Sequence, residues 1–405
     1  MSDFTVIKYF GEREGHNCGY CSGDTSNISH GMIAYVLHPE DYKDLIDRGW
    51  MRSGKYVYKP TYGKSCCAQY TIRSHAQSFA PTKSQKKVLK KFMAYLRNGK
   101  RPPTSSMESN EESSTHPSVN DSAMPDPNRP LPQKAKDIRI LNKLSKKAST
   151  AFPKPASSST QNSGVKSLED FIHEIQSIPN PAHTFSTRLV FRKYQMNIHN
   201  YPPDACTMNH MCCFLCQSSL VINEGYGAYH LQYLLDGKIF CVGVVDILPD
   251  AVSSDYLYYD PEYSFLSPGT LSALWELGLI RFYYMGFYVH TCPKMRYKGR
   301  FSGSQLLCLE TFTWFPLEDS LPRLEISKYS RFNPDPEAVD EDLPGDLGKM
   351  LVLFRGEAMT MRTILDRKFI QRNGDAADYA KLVGSKLMKR MLLYRESDRD
   401  DEATS

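Results

Sequence analysis

The sequence predicts an α+β protein with a small, thiol-rich N-terminal domain and a larger C-terminal domain built on a mixed sheet. Of its 405 residues, 41% are hydrophobic, which is enough apolar surface for at least one substantial core. A stretch of low-complexity sequence divides the chain, and strand and helix patterns alternate after it. We therefore place the N-terminal domain at 1–101, a linker at 102–166, the C-terminal domain at 167–332 and an extension at 333–405.

The N-terminal domain carries two pairs of cysteines. Cys18 and Cys21 form a C-x-x-C pair in which Gly19 relaxes the turn. Cys66 and Cys67 are adjacent, and because neighbouring side chains of a strand point to opposite faces, both can bind one ion only from a turn. Four thiolates match tetrahedral zinc or an iron–sulfur cluster. The alternatives are that one of the adjacent thiols is merely buried, or that a nearby histidine replaces it.

A basic helix is predicted within residues 83–101. Apolar residues recur there at helical spacing, and the segment holds eight Lys or Arg and no acid. A solvated helix face is one interpretation of such a run. A cluster this dense nevertheless repels itself unless an anion neutralises it, and RNA phosphate is a suitable anion. The side chains predicted to bind phosphate are Lys86, Lys87, Lys90 and Lys91.

Residues 102–166 are rich in Pro, Ser, Thr, Asn and Lys. Such a segment cannot bury enough apolar surface to offset the entropy of ordering, so it is predicted to be a disordered linker. The extension after residue 332 begins with an acidic, turn-rich run. It continues with a helical pattern at 375–394 and ends in an acidic tail.

The C-terminal domain alternates strand and helix signals. A β-forming apolar run is bounded by glycine and proline, and a Ser-Pro pair then marks a helix start. This order implies a mixed sheet with a helix packed on it. The predicted elements are a strand at 237–249, a turn at 251–255, a strand at 256–260, a helix beginning with Ser267 as N-cap and Pro268, and a strand at 281–290.

A second cysteine cluster lies at 206–216, where four cysteines surround one histidine. A metal site is one interpretation. The apolar residues between the thiols favour the other, in which some of these cysteines simply pack in a core. Oxidation sensitivity is a third.

Long motifs in both domains resemble those of the eukaryotic arginyl-tRNA–protein transferase family. At the N-terminal end the resemblance covers 9–97, with C-G-Y-C, G-K-Y-V-Y-K-P, the C-C pair and the basic helix. At the C-terminal end it covers 183–332, with F-x-K-Y-Q-x-x-I-H, the G-K-x-x-x-V-G-V-x-D-I-L-P strand and Y-Y-M-G-F-Y-x-H-x-C-P-K-M-x-Y-K-G.

The resemblance implies a GNAT-like acyltransferase fold for the C-terminal domain and transfer of arginine from charged tRNA to the α-amine of proteins that begin with Asp, Glu or oxidised Cys. That transfer marks proteins for ubiquitin-dependent degradation. It also implies an iron–sulfur cluster or zinc at the four N-terminal cysteines. The stretch from Leu274 to Phe282 is shorter than in the family, and the adjacent pair Cys212–Cys213 is additional. The alternative function is therefore a tRNA-binding or metal- or redox-sensing adaptor of the same fold.

Joining an amine to an activated ester needs positioning and charge stabilisation rather than a protein nucleophile. The guanidinium of the donor arginine requires a carboxylate. Asp246, in an apolar strand, is the leading candidate for this role, and capping a turn is its alternative. His199 and His290 are candidate proton acceptors. Predicted substrate-binding residues are Arg192, Lys193, Tyr194, Gln195, Tyr258, Asp260 and Glu262, and further tRNA-binding residues are Lys294, Arg296 and Lys298.

Coenzyme A is not expected as a cofactor. The segment S-P-G-T-L offers one glycine at the helix start, and Pro268 removes a backbone donor that a pyrophosphate would need.

No membrane segment or secretory signal is expected. Charged residues interrupt any apolar run at the N-terminus, and no apolar stretch is long enough to span a bilayer. We expect a monomer in the cytoplasm and nucleus with eleven reduced cysteines, partnered by arginyl-tRNA and by proteins with acidic or oxidised-Cys N-termini, and not by membranes.

Overall fold

The structure is a computed structural model that describes residues 3–21, 23–24, 26–101, 176–179, 185–223, 225–278, 280–369 and 375–396. The predicted linker at 102–166 and the acidic tail lie outside the described residues. Among the described residues, no helix has the length and apolarity needed to cross a membrane.

Two mixed β-sheets and eight α-helices confirm the α+β class within the described residues. The first sheet has seven strands in the order β14–β13–β15–β1–β2–β4–β3. Its strands are β1 Val6–His16, β2 Asn27–Val36, β3 Met51–Ser53, β4 Tyr56–Pro60, β13 Leu351–Phe354, β14 Glu357–Thr360 and β15 Leu392–Arg395.

The second sheet has eight strands in the order β12–β11–β5–β10–β9–β8–β7–β6. Its central strands β7, β8 and β9 form an antiparallel meander, while β9 and β10 pair in parallel through an intervening helix. This arrangement is consistent with the predicted GNAT-like fold. The strands are β5 Tyr70–His75, β6 Gln176–Pro179, β7 Gly227–Leu235, β8 Lys238–Leu248, β9 Ala251–Tyr259, β10 Phe282–Tyr288, β11 Ser304–Leu307 and β12 Trp314–Pro316.

The helices cover the two sheets with their apolar faces. Tyr42 and Tyr379 pack in the core of the first sheet, and Phe92 and Trp275 pack in that of the second. Phe191 and Tyr258 belong to a smaller third core. The helices are α1 Pro39–Ile46, α2 Lys83–Asn98, α3 Phe185–Ile198, α4 Met208–Met211, α5 Pro268–Leu277, α6 Leu317–Ile326, α7 Met361–Asp366 and α8 Ala376–Met388.

Both sheets combine strands from the two ends of the chain. β1 pairs in parallel with β15, and β5 lies between β10 and β11 of the second sheet. The described residues within 1–96 and 167–405 therefore form one compact unit. The domain limits at 101, 166 and 332 stay predictions, but strand pairing does not follow them.

Two local predictions are corrected. Residues 251–255, predicted to be a turn, begin β9, and the turn itself is at Asp250, whose φ is 57°. Pairing with β8 on one side and β10 on the other outweighs the weak β-propensity of this segment. The helix predicted at 375–394 ends at Met388, and the residues after it enter β15.

The connection that is predicted to be short, near Leu274–Phe282, runs from the end of α5 to the start of β10. Only residues 278–281 lie between the two elements. The parallel pairing of β9 with β10 is nevertheless formed, with Phe282 opposite Ala251. The short connection therefore leaves the strand–helix–strand unit in place.

Candidate active site and thiol site

The four N-terminal thiols form one cluster, as predicted. The Sγ atoms of Cys18, Cys21, Cys66 and Cys67 all lie within 4.8 Å of one another. Cys18 and Cys67 are buried and Cys21 is exposed. Hydrogen bonding from the Gly23 backbone, together with the neighbouring thiols, lowers the pKa of Cys21 to about 7. A set of four thiol donors this close fits a metal ion that prefers sulfur.

The adjacent pair reaches the cluster from a turn, as its sequence requires. Cys66 donates its backbone N–H to the carbonyl of Ser26 at 3.1 Å. The Ser65 hydroxyl donates to the carbonyl of Ile28 at 2.7 Å and fixes the turn to the start of β2. No comparable group of three or more potential ligands forms around 206–216 among the described side chains, and Cys216 packs in the third core.

A groove of about 640 Å³ opens where β9 and β10 separate. The two strands pair only from Phe282–Ala251 to Tyr284–Ser253, and Gly286 then bends β10 with a φ of 67°. The first turn of α5, the end of α3, and β3 and β4 complete the walls. Tyr20, which stands between Cys18 and Cys21, also lines the groove, so the thiol cluster adjoins it.

Arg52 and Asp255 line one wall of the groove, and the buried carboxylate of Asp246 lies behind them. Arg52 of β3 donates through Nε to Asp246 Oδ2 at 2.6 Å and through Nη2 to the other oxygen of the same carboxylate. The same Nη2 lies 3.4 Å from Asp255 Oδ2. Burial disfavours the charge of Arg52, but attraction to both carboxylates outweighs burial and raises its pKa.

This wall corrects the predicted role of Asp246. Asp246 is fully buried, and Arg52 of the chain itself occupies both of its oxygens. It is therefore not available to a substrate guanidinium. Asp255, two residues after Ser253, lines the groove with 19% of its side chain exposed. Burial, and then the charge of Asp246, raise the pKa of Asp255 well above its usual value.

Lys298 supplies a cation to the groove. Its Nζ donates to the carbonyl of Phe287 at 2.7 Å, which leaves two further donors. Burial lowers the pKa of Lys298 to about 8. Among the described residues lining the groove, Arg52 and Lys298 are the only Lys or Arg, and Lys298 has no carboxylate within ion-pair distance. The sequence predicted Lys298 for tRNA, whereas the structure places it inside the groove.

Glu276 of α5 is buried behind the groove. Its carboxyl oxygens accept from Tyr233 Oη at 2.9 Å and from Tyr283 Oη at 2.6 Å. Burial raises the pKa of Glu276 to about 7. Because Tyr283 lines the groove, Glu276 fixes part of its floor.

Two of the predicted site residues, one on α3 and one directly after it, reach the groove. Tyr194 and His199 line it, and the Nε2 atom of His199 lies 3.4 Å from Tyr256 Oη. Gln195 is buried and donates to Tyr256 Oη at 3.0 Å, so it positions a groove residue rather than lining the groove. Arg192 is exposed on the same helix.

The remaining predicted residues lie elsewhere. Lys193 and Asp260 form an ion pair at 2.7 Å, so neither carries the free charge that its predicted role requires. Tyr258 is fully buried against Phe191 in the third core. His290 contacts Tyr288 Oη and, at 3.0 Å, a carboxylate oxygen of Glu325, outside the groove lining.

The predicted basic side chains are exposed, except for Lys298. Lys86, Lys87, Lys90 and Lys91 project from α2, which is anchored by buried Phe92. Exposed Lys294 and Arg296 follow β10, and Glu262 is exposed after β9. Sequence reasoning missed Arg52, Asp255 and Tyr256. Strand alternation from Ser253 would place Asp255 on the groove face, but the local sequence predicts a turn there.

A mixed sheet that opens a charged groove between two parallel strands defines an acyltransferase-like protein with a separate thiol site. Two family models match the chain: "Arginine-tRNA-protein transferase, N terminus" at residues 16–87 and "Arginine-tRNA-protein transferase, C terminus" at residues 187–308. The arginyl-tRNA–protein transferase 1 of Drosophila melanogaster is 35% identical over 503 aligned positions, covering 96% of this chain and 99% of the relative. The chain belongs to the arginyl-tRNA–protein transferase family and is an arginyltransferase.

Two further relatives widen the comparison. An arginyl-tRNA–protein transferase of Arabidopsis thaliana is 27% identical, covering 80% of this chain and 75% of its own. An aspartate/glutamate leucyltransferase of Campylobacter jejuni is 33% identical over 84 residues, covering 20% of this chain and 35% of its own. The alignment with the fly relative is longer than the 405 residues of this chain, so that relative has segments without a counterpart here.

Proposed function

We propose that the groove joins the arginyl ester of arginyl-tRNA to the α-amine of proteins that begin with Asp, Glu or oxidised Cys, and so marks them for ubiquitin-dependent degradation. The observation that carries this proposal is the charge arrangement of the groove. Its walls hold an excess carboxyl group at Asp255 and, at Lys298, a cation that has no carboxylate partner among the described residues.

Asp255 receives the guanidinium of the donor arginine. Asp246, Asp255 and Arg52 together contain two carboxyl groups and one guanidinium. A second guanidinium entering from the groove balances these charges. It also stabilises the ionised form of Asp255, whose pKa is raised by burial and by the charge of Asp246. Arginine is the amino acid that supplies a planar, bidentate cation for this position.

Lys298 receives the acidic side chain of the acceptor protein. An ammonium that is largely withdrawn from water and lacks a carboxylate partner attracts an anion more strongly than an exposed lysine does. Carboxylate and sulfonate side chains share the required charge, which explains why Asp, Glu and oxidised Cys would be accepted. The leucyltransferase relative carries aspartate and glutamate in its name, which agrees with an acidic acceptor.

The reaction itself forms one amide C–N bond and breaks one ester C–O bond. The lone pair of the α-amine attacks the arginyl carbonyl carbon. The ribose oxygen leaves with the electron pair of the C–O bond, and the proton lost by the amine is passed to that oxygen to give the ribose hydroxyl. His199 is the groove histidine, and we assign it the transient acceptance of this proton. The protein forms no covalent bond to arginine.

The exposed lysines of α2 and the basic residues after β10 form the surface for the tRNA backbone. The side chains concerned are Lys86, Lys87, Lys90, Lys91, Lys294 and Arg296. Tyr95 of α2 packs edge-on against Phe265, 5.3 Å away, in the segment between β9 and α5. This contact sets the basic helix beside an element that leads into the groove.

We propose a single tetrahedral zinc ion at Cys18, Cys21, Cys66 and Cys67. Zinc–thiolate bonds of about 2.3 Å separate the sulfurs of a tetrahedral site by roughly 3.8 Å. An iron–sulfur cluster, which Cys thiolates also hold, is the alternative occupant of the same four thiols. Such an ion would hold Tyr20 in the groove wall. The thiols must stay reduced to bind the ion, which favours the cytoplasm and nucleus. A monomer suffices, because residues of one chain line the groove.

The test is transfer of labelled arginine from arginyl-tRNA to a peptide that begins with Asp. We expect transfer by the full chain, and we expect Asp255→Asn to raise the KM for arginyl-tRNA about 10- to 100-fold through loss of a charged hydrogen bond. Glu262→Gln is the matched control, because that carboxylate is exposed outside the groove. Tight tRNA binding without transfer would instead support the adaptor function.

A further inference from the structure

A chain of aromatic rings continues from the groove to the protein surface. We call this set the aromatic patch, and it consists of Tyr194, His199, Tyr201, His210, Phe214 and Tyr256. The rings contact one another in sequence, for example Tyr194 with His199 at 5.2 Å and Phe214 with Tyr256 at 5.0 Å between centroids. His210 and Phe214 are nearly parallel, with an interplanar angle of 23°.

The aromatic patch begins inside the groove and ends in solvent. Tyr194, His199 and Tyr256 line the groove, whereas Tyr201 and Phe214 lie beyond its lining. Tyr201 is 48% exposed and Phe214 is 37% exposed. Both rings therefore keep part of their surface in contact with water, although burial would be more favourable for large rings.

Helix α3, which contributes Tyr194 to the aromatic patch, also carries exposed positive charge. Arg188 and Arg192, one turn apart on α3, are both exposed, and neither has an ion-pair partner among the described residues. Between residues 185 and 217 the only acid is Asp204. Exposed rings combined with unpaired arginines are the features with which proteins bind single-stranded nucleic acid.

We propose that the aromatic patch stacks the unpaired nucleotides at the 3′ end of the donor tRNA, while Arg188 and Arg192 contact their phosphates. This inference rests on the proposed function, because an arginyl ester in the groove places the terminal nucleotide at the mouth of the groove. The patch leads outward from that mouth. The alternative occupant is the acceptor polypeptide beyond its first residue.

The test compares two RNA hairpins that share one acceptor stem, one with a four-nucleotide 3′ overhang and one blunt, binding to the full chain. We expect Tyr201→Ala and Phe214→Ala to weaken binding of the overhang hairpin at least about fivefold each, and to leave the blunt hairpin unchanged. Tyr201→Phe keeps the ring and should bind like the wild type. Tyr35→Ala, on an equally exposed tyrosine in the first sheet, is the matched control.

Unchanged affinity for the overhang, or equal losses for both hairpins, would overturn the proposal. A higher KM for a ten-residue acceptor peptide with unchanged overhang affinity would assign the aromatic patch to the acceptor protein instead and would also overturn it. Transfer by the wild type is measured in parallel. Its absence would contradict the proposed function, whereas wild-type transfer combined with intact overhang binding in Tyr201→Ala contradicts only the stacking.

Discussion

The thiol site and the groove are built in different ways. The thiol site uses two short segments, each of which brings a pair of sulfurs, and one kind of donor atom determines its chemistry. The groove takes residues from β3 and β4, α3, β9, α5, β10 and the segment that follows β10. In the groove, the role of a charged residue depends on whether another part of the chain neutralises it. A candidate carboxylate therefore cannot be assigned until its partners are known.

The two regions meet at Tyr20. It lies between two cysteines of the thiol site and lines the groove, while Val289, Cys292 and Met295 after β10 pack against the thiols. A metal ion at the thiols would therefore act on transfer by holding a wall of the groove. It need not touch the reacting atoms.

The largest expected effect is at the thiol site. We expect Cys18→Ser to remove the bound metal, because three thiolates and one hydroxyl bind zinc far more weakly than four thiolates. Metal content is measured by elemental analysis of the purified full chain. Cys212→Ser, in the second cysteine cluster, is the control and should keep its metal. Retained metal in Cys18→Ser would contradict the four-thiol site.

A second prediction separates a structural carboxylate from a substrate-binding one. We expect Asp246→Asn to lower the free energy of unfolding by about 3–5 kcal/mol, because it leaves the buried Arg52 without its main partner. Urea denaturation measures this loss. Asp255→Asn is the comparison and should lose much less, since Arg52 keeps Asp246. A similarly small loss of unfolding free energy in both variants would contradict the structural role of Asp246 and support its role as a substrate ligand.

A third prediction concerns the carboxyl group behind the groove. The folded-state pKa of Glu276 is raised to about 7, above its ordinary 4.5. The contribution of neutral Glu276 to the free energy of unfolding is therefore fully present below pH 4.5 and is lost as the pH rises to about 7. We expect this loss to be on the order of 3 kcal/mol and to be absent in Glu276→Gln. Urea denaturation between pH 4.5 and 7.5 measures the difference between the two proteins. Glu262→Gln is the control and should show the wild-type change of the free energy of unfolding with pH. If Glu276→Gln also showed the wild-type change, that result would be evidence against a neutral Glu276.

The smallest expected effect is a change in pH dependence. Because the pKa of Lys298 is lowered to about 8, the groove loses this cation as the pH rises through 8 rather than through 10.5. We expect the preference for a peptide beginning with Asp over one beginning with Asn, measured as a ratio of kcat/KM, to decline above pH 8. Lys298→Met should show a low, flat ratio, whereas exposed Lys294→Met should behave like the wild type. If the wild-type ratio of kcat/KM for the Asp and Asn peptides stayed constant up to pH 10, Lys298 would not take part in acceptor recognition.

The strand pattern after residue 237 and the basic helix were predictable because their signals are local. Apolar periodicity and a proline at the first helical position place β8, α2 and α5 where the structure has them. The start of β9 was not predictable in this way. Its Ser-Ser-Asp segment has weak β-propensity, and only its pairing with β8 and β10 makes it a strand. Because a turn is predicted at 251–255, the sequence also does not identify Asp255 as a groove residue.

The sequence by itself determined the class of the protein, the cluster of four thiols and the basic surface, because each depends on residue type and spacing within short segments. Only the tertiary structure decided which charges the groove retains. Arg52 and Asp246 are 194 residues apart in the chain, and their contact leaves Asp255 as the carboxyl group that faces the groove. One charged side chain neutralises another only within a few ångströms. The distances between side chains that are far apart in the sequence are set only when the chain folds.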